Sequence, residues 1–299
     1  MDKMKLYNRG RYQNWLQQII FIGPGLLFFI LIVVAPFMMG FYYTFTDWDG
    51  ISSHAKWSGM ANLNKIFTDD ARFWTSFWFT LRFTVVAVIS TNVVAFALAM
   101  LLNQKLKTKN VLRTVIFLPN VIGGLLLGYI WYFIFVRGFA AIGESTGIEL
   151  FNLAWLGTKE TAFWGIVIVF VWQTAGYMMV IYIAALVSVP KEMLEAAKID
   201  GANSRQMLRS IVIPMIMPAV TICLFLTTSN AFKMFDLNLS LTGGGPGYAT
   251  ESIALNIYRE ALTYSHYGLG TAKAMIFFFG VALITVTQVL LTKKREVEV

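Results

Sequence analysis

The sequence predicts an all-α, polytopic membrane protein with six transmembrane helices and both termini in the cytoplasm. Hydrophobic residues make up 57% of the 299 residues, while charged residues make up only 13%, about half the share in a soluble domain. The apolar residues form long runs, and the basic residues gather between alternate runs. A soluble enzyme of this length would need a more charged surface. With one cysteine, the chain is also no disulfide scaffold.

A membrane helix needs about 20 consecutive, mostly apolar residues. Six stretches meet this requirement, at about residues 19–43, 79–102, 115–135, 162–186, 211–232 and 267–291. They form one predicted membrane domain, 19–292, flanked by short tails at 1–18 and 293–299. The first stretch is too long for a signal-peptide core and lacks a following cleavage site, so we expect it to remain as a helix. No loop is long enough to hold a catalytic domain.

Lysine and arginine residues are distributed unequally between the two sides of these spans. Fifteen lie in the two tails and in the second and fourth loops, against seven in the other loops. The positive-inside rule places the fifteen in the cytoplasm. Most acidic residues fall on the opposite side. The net charge of +8 therefore indicates topology, and we expect no nucleic-acid partner.

The predicted cytoplasmic loop at residues 188–214 has the pattern of two short helices joined by a turn. Pro190 suits the first turn of a helix, and Gly201 stands where a glycine commonly follows one. Asn203 and Gln206 have the spacing of a capping box that begins the next helix. Small residues in the first helix would let another protein surface approach closely. An amphipathic hairpin on the membrane surface fits the same pattern, and the residues alone leave both interpretations open.

The same loop resembles the "EAA" loop of ABC importer permeases. The family pattern EAA-x3-G-x9-I-x-L-P is matched by Glu195, Ala196, Ala197, Gly201, Ile211, Ile213 and Pro214, with isoleucine in place of leucine. The segment between Phe235 and Arg259 is similar to the "FD…TGGGP…TE…IYR" segment of sugar permeases, and Phe117-Leu118-Pro119 and Phe73-Trp74 fit as well. From about Trp15 onward, the chain thus resembles the permease subunit of carbohydrate ABC importers of the maltose-transporter type.

This resemblance implies a binding-protein-dependent importer in the cytoplasmic membrane of a prokaryote. In such importers two homologous permeases form the pathway through the lipid, two cytoplasmic ATPase subunits bind ATP, and an extracellular solute-binding protein delivers the sugar. The permease itself is then no enzyme and needs no cofactor, and the sequence has no G-x-x-x-x-G-K-[ST] motif. By the same resemblance, coupling to the ATPase falls on Glu192, Glu195, Ala196, Ala197, Asp200 and Gly201.

The candidate substrate contacts come from the fourth and fifth spans. Sugars are commonly held by aromatic faces together with amide, hydroxyl or charged groups, and polar groups within a span usually face the interior. For Gln173, an interhelical hydrogen bond is the alternative. Alignment with the resembled family predicts contacts at Trp172, Gln173, Thr174, Tyr177, Asn230, Lys233 and Met234. Asn230 and Met234 depart from the family's contact residues, which leaves the identity of the sugar open.

Other polar residues have simpler interpretations. We expect Arg82 to snorkel to the outer interface, with a contact to a negatively charged substrate as the alternative. Asp236 follows Lys233 by three residues, a spacing that allows the two side chains to pair. Asn92 and Asn120 are predicted to support helix packing. The two histidines lie far apart in the sequence, so we predict neither a metal site nor catalytic residues.

The sequence favours import of an oligosaccharide, with a neutral, α-linked sugar as the first expectation. One alternative is the same class of importer with an acidic sugar or a sugar phosphate as its substrate. A second is an ion-coupled secondary transporter, but the six predicted spans contain no Asp or Glu, which proton coupling usually requires. An intramembrane hydrolase is disfavoured because neither histidine lies at membrane depth.

Overall fold

The computed structural model describes residues 20–104 and 106–294, and within them the chain is almost entirely helical. The predicted tail at 1–18 and most of that at 293–299 lie outside the described residues. The helices, in chain order, are α1 (Ile20–Tyr43), α2 (Ala61–Asp69), α3 (Ala71–Leu102), α4 (Lys109–Phe117), α5 (Gly124–Thr146), α6 (Glu149–Asn152), α7 (Lys159–Val187), α8 (Lys191–Ile199), α9 (Ser204–Met215), α10 (Met217–Phe232), α11 (Asp236–Leu241), α12 (Ile253–Tyr258) and α13 (Tyr267–Lys293).

Five of these helices, α1, α3, α5, α7 and α13, are long and apolar enough to cross a membrane. A sixth span is present if α9 and α10, which meet at a bend of 71°, cross the membrane as one broken helix. The bend lies at Ile216, and Pro218 occupies the first turn of α10. A proline at this position has no N–H to donate to the preceding turn, so the bend is where the helix is easiest to break.

The third apolar helix differs in position from the predicted span at 115–135. The chain first forms the separate helix α4 and then a 3₁₀ turn at Leu118–Val121, before α5 begins at Gly124 and continues to Thr146. Pro119 lies within the 3₁₀ turn, where it cannot supply a helical hydrogen bond. Gly123 is extended. These two residues divide an apolar run that hydropathy alone treats as continuous.

Two other helices begin before the predicted spans because their first turns are capped by polar side chains. The Asp70 side chain accepts a hydrogen bond from the Phe73 N–H at 2.8 Å, so α3 starts eight residues before position 79. Arg82 consequently lies eleven residues beyond the start of α3, instead of about four. At α7, Thr158 and Thr161 form a capping box, which satisfies N–H groups that the helix leaves unpaired.

One compact unit contains the described residues 20–68 and 259–275. Within it, the only β-type pairing among the described residues is a single bridge between Thr46 and Trp57. The Asn62 side-chain amide donates to the carbonyl oxygens of Thr44 and Thr46, at 3.0 and 2.7 Å. These bonds secure the segment that follows α1.

The second compact unit contains the described residues 69–258 and 276–294. Its core lies between α3, α7 and α10, where the Phe83 and Phe170 rings meet edge to face at 5.3 Å. Lipid tails are as apolar as these side chains, so close packing rather than the hydrophobic effect holds membrane helices together. At Gly176 a Cβ would lie 2.1 Å from the Ile116 carbonyl oxygen. The absence of a side chain there lets α4 pack directly on α7.

Candidate functional site

A cavity of about 290 Å³ lies in the second unit, at the junction of four chain segments. These are the 3₁₀ turn with the start of α5, the middle of α7, the end of α10, and the start of α11. The cavity is lined by Asn120, Gly124, Phe170, Gln173, Thr174, Asn230, Lys233, Met234, Phe235, Asp236 and Leu237. It therefore brings together five of the seven predicted substrate contacts: Gln173, Thr174, Asn230, Lys233 and Met234.

The floor of the cavity depends on the close approach of α5 to α11. A Cβ at Gly124 would lie 2.9 Å from the Asp236 Cβ, and a Cβ at Gly128 would lie 1.9 Å from the Ser240 Oγ. Distances below about 3.0 Å do not occur for real Cβ atoms. The two glycines, one helical turn apart, thus allow the turn after α10 to fold back against α5. This places Asp236 on the cavity wall.

The polar groups of α7 in the cavity are held by backbone atoms. The Gln173 Nε2 donates to the Ile122 carbonyl oxygen at 3.1 Å, so the carboxamide has a fixed orientation. The acceptor Ile122 is an extended residue between the 3₁₀ turn and α5, so this bond joins α7 to a link between helices and is not the interhelical bond considered as the alternative. The same side chain also lines the cavity. The Thr174 hydroxyl donates to the Phe170 carbonyl oxygen of the preceding turn.

The segment from the end of α10 to the start of α11 presents both signs of charge to the cavity. Asn230, Lys233 and Asp236 are all exposed, while Met234 is 5% exposed and forms an apolar wall. No ion pair joins Lys233 to Asp236 in the described part of the chain, so the pairing that their spacing allows does not form. Both charges instead line the same cavity, and together they leave it close to neutral.

Two predicted substrate contacts, Trp172 and Tyr177, do not line the cavity. The Trp172 ring meets that of Trp131 edge to face at 5.4 Å, and the Tyr177 ring lies 6.5 Å from that of Phe117. A residue on a helix turns by about 100° per position, so Trp172 faces away from the side that carries Gln173 and Thr174.

Six of the residues that line the cavity were not predicted to contact the substrate, and two of these six, Asn120 and Asp236, are polar. Asn120 was assigned to helix packing and Asp236 was considered a partner of Lys233, yet both reach the cavity. The break at Pro119 was the available signal for Asn120, because residues next to an interrupted helix often line a site within the membrane. For Asn92 the packing assignment is confirmed, since it accepts from the Tyr182 hydroxyl at 2.7 Å. Asn92 also donates to the Thr227 Oγ1 at 3.3 Å, which links α3, α7 and α10.

The loop at 188–214 folds as two helices with a well-defined turn. Helix α8 ends in a Schellman motif, in which the Gly201 N–H donates to the Lys198 carbonyl at 3.1 Å and the Ala202 N–H to the Ala197 carbonyl at 2.9 Å. Gly201 has a φ of +83°, which a glycine adopts without strain. The predicted capping box between Asn203 and Gln206 is confirmed, with reciprocal bonds of 2.9 and 2.8 Å.

Most of the surface of α8 is open in this chain. Ala197 packs inward at 9% exposed, whereas Met193 is 46% and Ile199 is 87% exposed. The predicted coupling residues Glu192, Glu195, Ala196, Asp200 and Gly201 are likewise exposed. Helix α8 therefore presents apolar and acidic side chains side by side, while Ala197 is buried and Leu194 packs against the core of the unit.

A buried ion pair fixes the glycine-rich segment that follows α11. Glu251 is fully buried and accepts two hydrogen bonds from the Arg72 guanidinium, at 2.6 and 2.7 Å. Ser76 and Asn256 donate to the same carboxylate at 3.3 and 3.1 Å. The guanidinium also lies 3.9 Å from the centre of the Tyr248 ring. These contacts tie the segment to the first turn of α3.

An apolar, helical membrane domain with a broken helix and a polar cavity has the features of a membrane transport protein. The chain belongs to the family described as "Binding-protein-dependent transport system inner membrane component", whose model matches residues 91–297. It is thus a multi-pass inner-membrane component of such a transport system.

Individual relatives cover nearly the whole chain. The "Probable starch degradation products transport system permease protein AmyD" of Thermoanaerobacterium thermosulfurigenes is 50% identical, over 96% of this chain and 97% of that protein. The "Multiple sugar-binding transport system permease protein MsmF" of Streptococcus mutans is 32% identical, over 96% and 98%. A chain of a bacterial ABC transporter that imports the acidic polysaccharide alginate has the same fold, with a TM-score of 0.82 at 19% identity, over 97% and 99%.

Proposed function

We propose that this chain is one permease subunit of an ATP-driven importer for neutral oligosaccharides of the kind released from starch. The observation that carries the proposal is the polar cavity of about 290 Å³, in which amide, hydroxyl and charged side chains meet an apolar wall. The 50% identity to a permease named for starch degradation products supports this choice of substrate class.

The chemistry of the cavity suits a neutral sugar. Sugar hydroxyls both donate and accept, and Gln173, Asn230 and Asn120 carry amides that do the same. Lys233 and Asp236 add one donor and one acceptor with no net charge. The volume is near the lower end of roughly 300–1,000 Å³ for ligand sites, as expected if a second permease supplies the opposite wall.

The topology and partners follow from the charge distribution and the exposed loop. We place both termini and the 188–214 loop in the cytoplasm, where the excess of basic residues lies. Helix α8 and the turn that follows it, with the coupling residues between Glu192 and Gly201, then dock on one of two ATPase subunits that bind the ATP. A second homologous permease packs beside this chain, and an extracellular binding protein delivers the sugar. The alginate transporter with a similar fold forms a complex with an alginate pentasaccharide-bound periplasmic protein, which supports the last point.

An acidic sugar or sugar phosphate remains the second candidate substrate. Lys233 in the cavity favours it, as does the structural likeness to an alginate importer. Asp236 on the same cavity opposes it, because its carboxylate repels an anionic ligand.

The test is transport by the complete importer in vesicles, with ATP enclosed on the ATPase side. We expect uptake of labelled maltooligosaccharides that requires both ATP and the binding protein. Competition by unlabelled neutral oligosaccharides but not by uronic-acid oligomers or sugar phosphates supports the neutral class, and the reverse pattern identifies the acidic one. Uptake driven by a proton gradient without ATP would show an ion-coupled transporter and overturn the proposal.

A further inference from the structure

A second cavity, of about 330 Å³, lies between the N-terminal half of α3 and the first two turns of α7. Arg82, Lys159, Glu160, Trp78 and Phe163 are among its lining residues. It shares no residue with the candidate sugar cavity. Arg82 and Lys159 carry two positive charges and Glu160 one negative charge, so the net charge of the cavity is about +1. Lys159 and Glu160 lie 3.5 Å apart on an exposed surface, where an ion pair is weak and leaves Lys159 able to bind a ligand.

The Arg82 guanidinium is positioned by an aromatic ring and by no acceptor. It lies over the Phe163 ring, 4.6 Å from the ring centre. No hydrogen bond or ion pair engages it within the described residues. Because no acceptor among the described residues engages them, its N–H groups are available to a ligand. These groups form a planar fork that matches the oxygens of a phosphate.

The cavity lies at the depth of lipid headgroups in the topology proposed above. Helix α3 has 32 residues, about 48 Å at 1.5 Å per residue, whereas the hydrocarbon core is only about 30 Å thick. About 20 residues counted back from the cytoplasmic end of α3, at Leu102, reach Phe83. Arg82 therefore lies at the outer edge of the hydrocarbon, and Trp78 one turn further out lies where interfacial tryptophans concentrate.

An exposed apolar stripe leads from Arg82 towards the middle of the membrane. Val85, Ile89 and Val93 are 53%, 59% and 63% exposed, and their spacing of three to four residues puts them on the same face of α3 as Arg82. A headgroup held at Arg82 would have its acyl chain directed along this stripe. A soluble anion would gain nothing from the stripe.

We propose that the cavity at Arg82 and Lys159 binds the phosphodiester of an anionic phospholipid from the outer leaflet. The single negative charge of the lipid matches the net charge of the cavity. Arg82 supplies the bidentate contact and Lys159 a second cation from the headgroup side. Trp78 and the stripe on α3 cover the first part of an acyl chain. The inference rests on the proposed topology but not on the identity of the sugar.

The test is lipid retention by the purified, complete importer, measured by native mass spectrometry after exchange into phosphatidylglycerol or phosphatidylcholine. We expect wild-type importer to retain phosphatidylglycerol in preference to phosphatidylcholine. The double variant Arg82→Gln/Lys159→Gln should bind it at least about tenfold more weakly, as expected for the loss of charge-assisted hydrogen bonds. Arg82→Lys should fall between them because it keeps the charge but loses the fork. Lys56→Gln, at an exposed lysine of another loop, is the matched control.

Several outcomes would overturn the inference. Equal retention by wild type and double variant would do so, as would equal retention of the two lipids. If glycerol phosphate displaced bound phosphatidylglycerol as strongly as the intact lipid does, the ligand of this cavity would be a soluble anion rather than a lipid. Loss of the second permease from the double variant, with lipid retention unchanged, would identify a carboxylate of that subunit as the partner of Arg82. ATP-driven uptake measured on the same samples separates these results from a failure of the proposed transport function.

Discussion

At the scale of single residues, only some of the side chains predicted to contact the substrate line the cavity. Asn230 lines the cavity, whereas Tyr177 lies outside it, although both were predicted to contact the substrate. We expect Asn230→Ala to raise the KM for sugar uptake about fivefold, because a lost hydrogen bond is worth about 1 kcal/mol. Tyr177→Phe, the control, should leave KM within about twofold. Equal effects of the two substitutions would contradict the assignment of the cavity as the sugar pathway.

A second prediction for a single residue concerns the contribution of the buried Glu251 carboxylate to stability. Glu251→Gln removes the charge that compensates Arg72, and breaking a buried pair costs about 3–5 kcal/mol. We therefore expect a clear fall in the thermal unfolding temperature of the purified importer. The matched control is Glu160→Gln, because Glu160 pairs with Lys159 at 3.5 Å on an exposed surface, where a pair contributes about 0–1 kcal/mol. A similar effect of both substitutions would contradict the structural role of Glu251.

The Glu260 carboxylate is expected to make the stability of the folded protein depend on pH. Burial raises the pKa of Glu260, but hydrogen bonds from Lys273 at 2.6 Å and from His266 at 2.8 Å outweigh it and hold the pKa below its ordinary value. The unfolded chain therefore binds the proton more readily, so stability falls as the pH drops through and below about 4.3.

This pH dependence can be tested by measuring the thermal unfolding temperatures of the wild type and of Glu260→Gln from neutral to acidic pH. The variant should be less stable at neutral pH, and the difference should shrink as the pH falls through this window, because protonation removes the same charge from the wild type. Glu149→Gln, at an exposed carboxylate, should track the wild type throughout. A difference that stays constant with pH would rule out this role for the Glu260 carboxylate.

At the scale of elements, the turn after α8 determines the direction in which the exposed helix projects. Gly201 has a φ of +83°, and a side chain in this conformation costs roughly 1–2 kcal/mol. We expect Gly201→Val to reduce the amount of ATPase that co-purifies with the permease and to lower ATP-driven uptake. Gly280→Ala is the control, since a Cβ there would meet nothing within 4 Å and its φ is not positive. Undiminished ATPase recovery with Gly201→Val would count against docking through α8.

The elements that the sequence predicted well are those with a local signal. The capping box at Asn203 and the glycine after α8 follow from residue types at fixed spacing, and both form as expected. The start of α3 was misplaced because hydropathy ignores the polar first turn that Asp70 caps. The cavity depends on the contact of α5 with α11, made possible by Gly124 and Gly128. Such a contact between distant segments has no local signature in a single sequence.

At the scale of the whole molecule, the proposed topology can be tested by cysteine labelling, because the chain has only one native cysteine to replace. Cys223 is fully buried, so a membrane-impermeant maleimide should not label the native wild-type protein. In a Cys223→Ser background, Lys56→Cys and Lys159→Cys should react in intact cells, because both exposed positions lie in loops placed outside by the charge distribution. Lys198→Cys, on the exposed surface of α8, should react only after the membrane is opened. Labelling of Lys198→Cys in intact cells would place α8 on the outside, beyond the reach of a cytoplasmic ATPase, and would contradict both the topology and the coupling role proposed for this helix.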